Sequence, residues 1–188
     1  MEKRCKWPGS DPLMVEYHDN EWGVPLYNDK KIFEFLILDT FQAGLSWQII
    51  LRKRKNFKKA FDNYNIKKIS KYGKKDFNRL MKDAGIVRNR LKNQAAIINA
   101  QKFLDIKKEF GTFSKYIWSF TNGVPIINKF KKMSEIPTKT TISDVMSKDM
   151  KERGFRFVGS TTIYAFMQGM GIVNDHTTDC FRHKEVQR

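Results

Sequence analysis

LMKDAGIVRNRLKNQAAIINA, residues 80–100, reads as helix, glycine turn, helix. Phe77, Leu80, Met81 and Ala84 form one amphipathic stretch, which Gly85 ends. A longer helix follows from about Asn89 to Glu109, carrying Ala95, Ile98 and Phe103. A hairpin of this kind aims backbone N–H groups at phosphates, and the N-terminus of its second helix adds a favourable partial positive charge. Arg88, Arg90 and Lys92 stand at that helix start, where cations oppose the dipole but suit a bound phosphate. They are candidate DNA contacts. An ordinary corner between two helices has the same pattern, so this segment alone leaves both readings open.

Outward from the hairpin, apolar residues keep helical spacing. Ile32, Phe33, Leu36 and Ile37 form a stripe introduced by Asn28 and Asp29 as caps. Leu45, Ile49 and Ile50 predict a second helix, and Phe57, Ala60 and Phe61 a third. Beyond the hairpin, Phe113, Tyr116, Ile117 and Phe120 continue the pattern until Asn122-Gly123. Ser143 opens a further helix that ends at Gly154, and the last runs from about Ser160 to Met170. Only Phe155 to Val158 alternates like a strand, and it is short. The expected fold is all-α, with many short helices in one domain.

The chain has 188 residues, 40% of them hydrophobic, which suffices for a core without staples. Its formal charge of +16 favours a polyanionic partner, with nucleic acid ahead of a membrane surface. No apolar run reaches the ~18 residues of a membrane span, and no signal-peptide core follows the N-terminus. Two cysteines are too few for a secreted disulfide scaffold, so a reducing cytoplasm is the expectation, and a monomer is the default oligomeric state.

Each cysteine has a histidine near it: Cys5 with His18, and Cys180 with His176. The His176–Cys180 spacing places both side chains on one helical face or in one tight loop, within reach of a single ion. Zinc takes four such nitrogen and sulfur ligands. Spacing alone leaves a disulfide and two unrelated buried thiols as alternatives. His183 is a spare candidate that looks more like tail.

Two further segments are expensive for a simple helical core. YHDNEWGVP, residues 17–25, and LDTFQAGLSW, residues 38–47, hold Tyr17, Asp19, Glu21, Trp22, Asp39, Gln42 and Trp47. Acids beside aromatics in so basic a chain suggest a pocket for a cationic or hydrogen-bonding aromatic ligand. The tryptophans also suit core packing, and Asp19 and Glu21 also suit capping or pairing. Asp39 ends an apolar stripe, where a buried carboxylate needs a partner.

These stretches carry a family resemblance. RCKW (residues 4–7), YHDNEWGVP, QAGLSW, DAGIVRNR, WSF (118–120), SEIPT and RGFRFVGSTTIYAFMQGMGIVNDH (153–176) occur in order across nearly the whole chain. In this the chain resembles the DNA-3-methyladenine glycosylase I family of the helix-hairpin-helix superfamily. The resemblance implies a single glycosylase domain over 1–188. Its central hairpin region would span about 28–110, and segments 1–27 and 111–188 would pack together around one structural zinc ion. It implies Cys5, His18, His176 and Cys180 as the zinc ligands, and Trp7, Tyr17, Trp22 and Trp47 as the walls of an alkylated-base pocket. Asp39, the candidate catalytic residue, would contact the base edge, and Gln42 and Leu45 are candidates for filling the gap left by a flipped base. The implied substrate is double-stranded DNA carrying alkylated bases, with free 3-methyladenine as product. Many relatives have glutamate where this chain has Asp39, one methylene shorter. One competing reading keeps the fold and the zinc but removes the chemistry, leaving a DNA-binding protein that senses alkylated bases. Another makes the chain a different base or nucleotide hydrolase.

Overall fold

Most helices start on a side chain that the sequence supplies for the purpose. In the computed structural model, which describes residues 3–187, Asp11 caps α1 (Pro12–Asn20) and Asn28 caps α2 (Asp29–Gln42). Ser46 caps α3 (Trp47–Ala60), and Asn65 caps the short α4 (Ile66–Ile69). Asn89 caps α6 (Arg90–Phe110), Thr112 caps α7 (Phe113–Ser119) and Thr140 caps α8 (Thr141–Glu152). Each such oxygen accepts from an otherwise orphaned amide and contributes about 1 kcal/mol. Helices α5 (Lys74–Lys82), α9 (Ser160–Gly169) and α10 (Phe181–Glu185) complete the set.

Helix α2 is the axis of the molecule. Every residue from Phe35 to Phe41 is buried, so the helix is covered on all sides. It packs against α3, α6, α7 and α9. Phe33 meets Phe103 edge-on at 5.2 Å, and Phe103 stacks on Phe113 at 3.9 Å, which joins α2, α6 and α7. One apolar core includes residues from Cys5 to Cys180.

Three details depart from the sequence reading. The two helices expected around Ile49–Ile50 and Phe57–Ala60 are one helix, α3, because the lysines and arginines between them are good helix formers. The alternating stretch Phe155–Val158 is not a strand. The Asn99 side chain donates to the Arg156 carbonyl (3.0 Å) and accepts from the Arg156 amide (2.8 Å), which occupies the backbone groups a neighbouring strand would use. Among the described residues the strands are β1 (Ile126–Ile127) and β2 (Val173–Asn174), paired in parallel.

That pairing seats the segment after α7 beside the C-terminal segment. The Phe181 amide then donates to the Lys3 carbonyl at 2.8 Å, bringing the two ends of the chain together. Gly171 is required here: its φ is +65°, and a Cβ would lie 2.3 Å from the Val24 carbonyl carbon. Among the described residues, no helix is long and apolar enough to cross a membrane.

Candidate active site and metal centre

Where the chain ends meet, Cys5, His18, His176 and Cys180 converge. All four are buried, and their ligand atoms lie within 4.8 Å of one another. Cys180 Sγ is 3.5 Å from His18 Nε2 and 3.6 Å from His176 Nδ1, and Cys5 Sγ is 3.6 Å from the same Nδ1. The outer ring nitrogens are fixed. His18 Nδ1 meets the Asp19 carboxylate at 2.7 Å, and His176 Nε2 meets the Trp22 carbonyl at 3.0 Å. Oxygens that only accept force the protons onto those outer nitrogens, so both inner nitrogens turn a lone pair toward the sulfurs. Arg4 holds Asp19 in turn, with Nε 2.9 Å from both carboxylate oxygens.

Two thiols this close share a proton. Cys5, in its hydrogen bond to Cys180, is pushed well above the usual thiol range. Cys180, which receives that bond, is pulled well below the usual thiol range. Gly23 permits the packing: at φ +77°, a Cβ would stand 3.0 Å from His176 Nε2. The group could hold a metal ion. His183 takes no part in it; its Nε2 lies 2.8 Å from the Asn128 carbonyl, and the residue is buried rather than loose tail.

The second cluster is a cavity of about 220 Å³ walled by Trp7, Tyr17, Trp22, Trp47, Asp39 and Gln42, with Met133, Ile136, Ala165 and Gln168. It shares residues with the surroundings of the cysteine–histidine group. Trp22 meets His176 edge-on at 4.6 Å, and Trp7 meets both His18 (5.5 Å) and Trp22 (5.1 Å) edge-on. Tyr17 lies 5.2 Å from Trp47. The Trp7 and Trp47 indole Nε1 atoms and Asp39 Oδ2 are buried with no hydrogen-bond partner. Burial raises the Asp39 carboxyl well above the usual carboxylate range. Burial, and then the neighbouring Asp39 and Glu21 charges, keep Tyr17 a neutral phenol. Glu21 itself is paired: Arg54 Nη1 and Nη2 donate to its two oxygens at 2.6 and 2.7 Å.

Sequence reasoning missed four wall residues. Ala165 and Gln168 are three apart on α9 and so face one side, a spacing visible in the chain. Met133 opens a single 3-10 turn, Met133–Glu135, and Ile136 follows it, a piece too short to show a periodic pattern.

At the cavity edge, the turn from α2 to α3 is tied by Gln42, whose Nε2 donates to the Leu45 carbonyl at 2.9 Å. Leu45 is half-buried against the core. The hairpin approaches the same turn, and here Lys92 needs correcting. It is 6% exposed, and its Nζ donates to the Phe41 carbonyl (2.7 Å) and the Ala43 carbonyl, at the C-terminal end of α2. Its ammonium is spent inside the protein, and burial lowers its pKa. Arg88 and Arg90 are exposed. The glycine turn is held from α3, with the Gly85 carbonyl accepting from Lys53 Nζ and Asn56 Nδ2, both at 3.3 Å. Val87, at the position where such hairpins usually have a second glycine, packs on the core.

Fold and site together define a class: a helical protein with a hairpin beside an aromatic, acid-bearing cavity suited to one flat polar ring. The family model for methyladenine glycosylases matches residues 7–183, so the chain belongs to that family and is a glycosylase. DNA-3-methyladenine glycosylase 1 of Escherichia coli (strain K12) is 46% identical over 178 residues, covering 95% of each chain. A crystal structure of 3-methyladenine DNA glycosylase I superposes with a TM-score of 0.93 at 44% identity, over 95% of this chain and 98% of that one. A tyrosine-to-phenylalanine variant of such an enzyme, solved in complex with 3-methyladenine, gives 0.92 at 35% identity over 95% and 96% of the two chains.

Proposed function

We propose that this chain excises 3-methyladenine from alkylated DNA by hydrolysing the N-glycosidic bond after the nucleotide flips into the aromatic cavity. The observation that carries the reading is the set of unpaired buried polar atoms on the cavity wall: Asp39 Oδ2, Trp7 Nε1 and Trp47 Nε1. A buried group without a partner costs ~1–3 kcal/mol. Aromatic rings with an acceptor and donors suit a purine that can stack and hydrogen-bond at once. The relatives named above act on 3-methyladenine, and one was solved with that base.

3-Methyladenine is cationic while attached to the sugar. The C1′–N9 bond breaks with its electron pair going to the base, which departs neutral. Water adds to the sugar carbon and loses a proton. Stacking a desolvated cation on an indole is worth ~2 kcal/mol. Burial disfavours the Asp39 carboxylate, and a positive base in the cavity favours it, as an acceptor for the base edge. Asp39 therefore serves recognition and charge compensation, and the aromatic walls exclude water.

Cys5, His18, His176 and Cys180 fit a structural zinc ion. Tetrahedral zinc with ~2.3 Å sulfur and ~2.05 Å nitrogen bonds requires sulfur–nitrogen separations of about 3.5–3.6 Å, the range found between these side chains. When bound, zinc would staple the chain ends. The protein's own part is to aim both histidines through Asp19 and the Trp22 carbonyl. The decisive experiment measures free 3-methyladenine released from methylated duplex by wild type and Asp39→Ala. Wild type should release the base and the variant should be impaired; release by neither would overturn the reading.

A further inference from the structure

A groove of about 420 Å³ adjoins the base cavity and shares its wall residue Met133. Its lining includes Lys3, Arg4, Lys6, Lys131 and Lys132. Two of these cations are neutralised, Lys3 by Asp179 at 2.7 Å and Arg4 by Asp19 at 2.8 Å. Among the described residues no acid pairs with Lys6, Lys131 or Lys132, and all three are exposed. The nearby acid Glu135 is directed at the backbone: its Oε2 accepts from the Lys131 amide (2.7 Å) and the Lys132 amide (3.4 Å). That contact fixes the turn and leaves both lysine side chains projecting from a defined site.

The base cavity thus has cations beside two different walls. The Gln42–Trp47 wall continues, through the turn held by Lys92, to the hairpin with Arg88 and Arg90. The Met133–Ile136 wall continues to the lysine groove. A nucleotide whose base enters the cavity has a phosphate on each side, and the hairpin arginines lie toward one wall while the lysines of the groove lie toward the other.

We propose that Lys6, Lys131 and Lys132 form a second phosphate-binding surface, which grips the DNA strand bearing the flipped base on the Met133 side of the cavity. This rests on the base-excision reading. Phosphate contacts of this kind position the strand without reading sequence, and each neutralised phosphate releases condensed counterions.

The test compares three proteins on undamaged duplex: wild type, a Lys131→Gln/Lys132→Gln variant, and a Lys67→Gln/Lys71→Gln variant. The last carries the same charge change at exposed positions in and just after α4 that line neither the cavity nor the groove. The slope of log affinity against log salt should become shallower by ~1.8 in the groove variant, from ~0.9 per lost phosphate contact, and stay at the wild-type value in the control. Lys6→Gln should remove a further ~0.9. On methylated duplex the groove variant should show a raised KM with kcat retained, since strand grip acts on ground and transition states alike. Melting temperature and metal content should match wild type, which keeps folding out of the result. An unchanged slope in the groove variant, or an equal change in the control, would overturn the proposal. If wild type binds with the expected slopes but releases no base, the excision reading has failed while the phosphate surface stands.

Discussion

Asp175 and Asp39 are both shut away from water, at 1% and 4% exposure, yet their surroundings are opposite. Asp175, just after β2, accepts from Asn128 Nδ2 (2.6 Å), the Tyr164 hydroxyl (2.6 Å) and Gln168 Nε2 (2.8 Å). Asp39, on α2, leaves Oδ2 with no partner. The cysteine–histidine group resembles Asp175: its inner donors face one another and its outer nitrogens are held. The aromatic cavity resembles Asp39. A satisfied buried polar group stabilises one conformation, whereas an unsatisfied one destabilises the free protein and becomes useful when a ligand arrives. Trp7 touches both regions, its ring against His18 and its Nε1 unpaired at the cavity. The closed region thereby sets the shape of the open one.

The largest expected effect lies in the closed region. Cys180→Ser breaks a buried ligand set, and stranding its partners costs ~3–5 kcal/mol. For a chain of this size the melting temperature should fall by on the order of 10 °C. Elemental analysis should give close to one zinc per wild-type chain and less in the variant. Metal-free wild type with unchanged melting would show that the four side chains hold one another without an ion.

In the open region the effects should fall on recognition and leave the fold intact. Asp39→Ala and Trp47→Ala should each cost ~1–3 kcal/mol in excision of 3-methyladenine, the first by removing an acceptor and the second by removing a stacking face. Both should melt near wild type and bind undamaged duplex normally. An Asp39→Ala enzyme with wild-type excision would return Asp39 to the structural class.

Stability against pH tests the Asp39 environment more finely. Burial raises the Asp39 pKa above its ordinary 3.8. Above that value the unfolded chain gives up the proton while the folded chain keeps it, so the folded state binds more protons. Stability therefore falls as pH rises from about 4 toward the folded pKa, by at most ~1.4 kcal/mol per pH unit. Asp39→Asn removes that slope. The variant should match wild type near pH 4 and exceed it in denaturant melts at pH 7, with the gap widening between. A gap that does not change with pH would mean that the carboxyl finds a partner within the fold.

These contrasts were unevenly legible in the chain. Caps such as Asn28, Asn89 and Thr112 act within a few residues, so spacing alone reveals them. The cysteine–histidine pairs were visible as two local spacings, although their union depends on the chain ends meeting. Trp7 entered only through the family resemblance, since an aromatic in a basic helical chain looks like core. Met133 and Ile136 were invisible, because their approach to the cavity depends on a long irregular return of the chain. Lys92 was legible and misread. It falls in register with Ala96, Asn99 and Phe103, the buried stripe of α6, so its side chain had to point inward.

Arg90 and Lys92 carry the same comparison to its smallest effect. Arg90 is exposed, with its guanidinium 5.6 Å from the centre of the Phe77 ring, and it remains available to an anion. Lys92 is committed to two carbonyls. Arg90→Ala removes at most one phosphate contact, so the salt dependence of duplex binding should become shallower by ~0.9. The loss should be equal on damaged and undamaged DNA, because a phosphate carries no information about the base. Lys92→Met should do the reverse. Two carbonyls at the end of α2 lose their donor, which lowers the melting temperature, while the salt slope stays at the wild-type value. A slope that changes with Lys92→Met at intact melting would place its ammonium among the phosphates, contrary to its position in the fold.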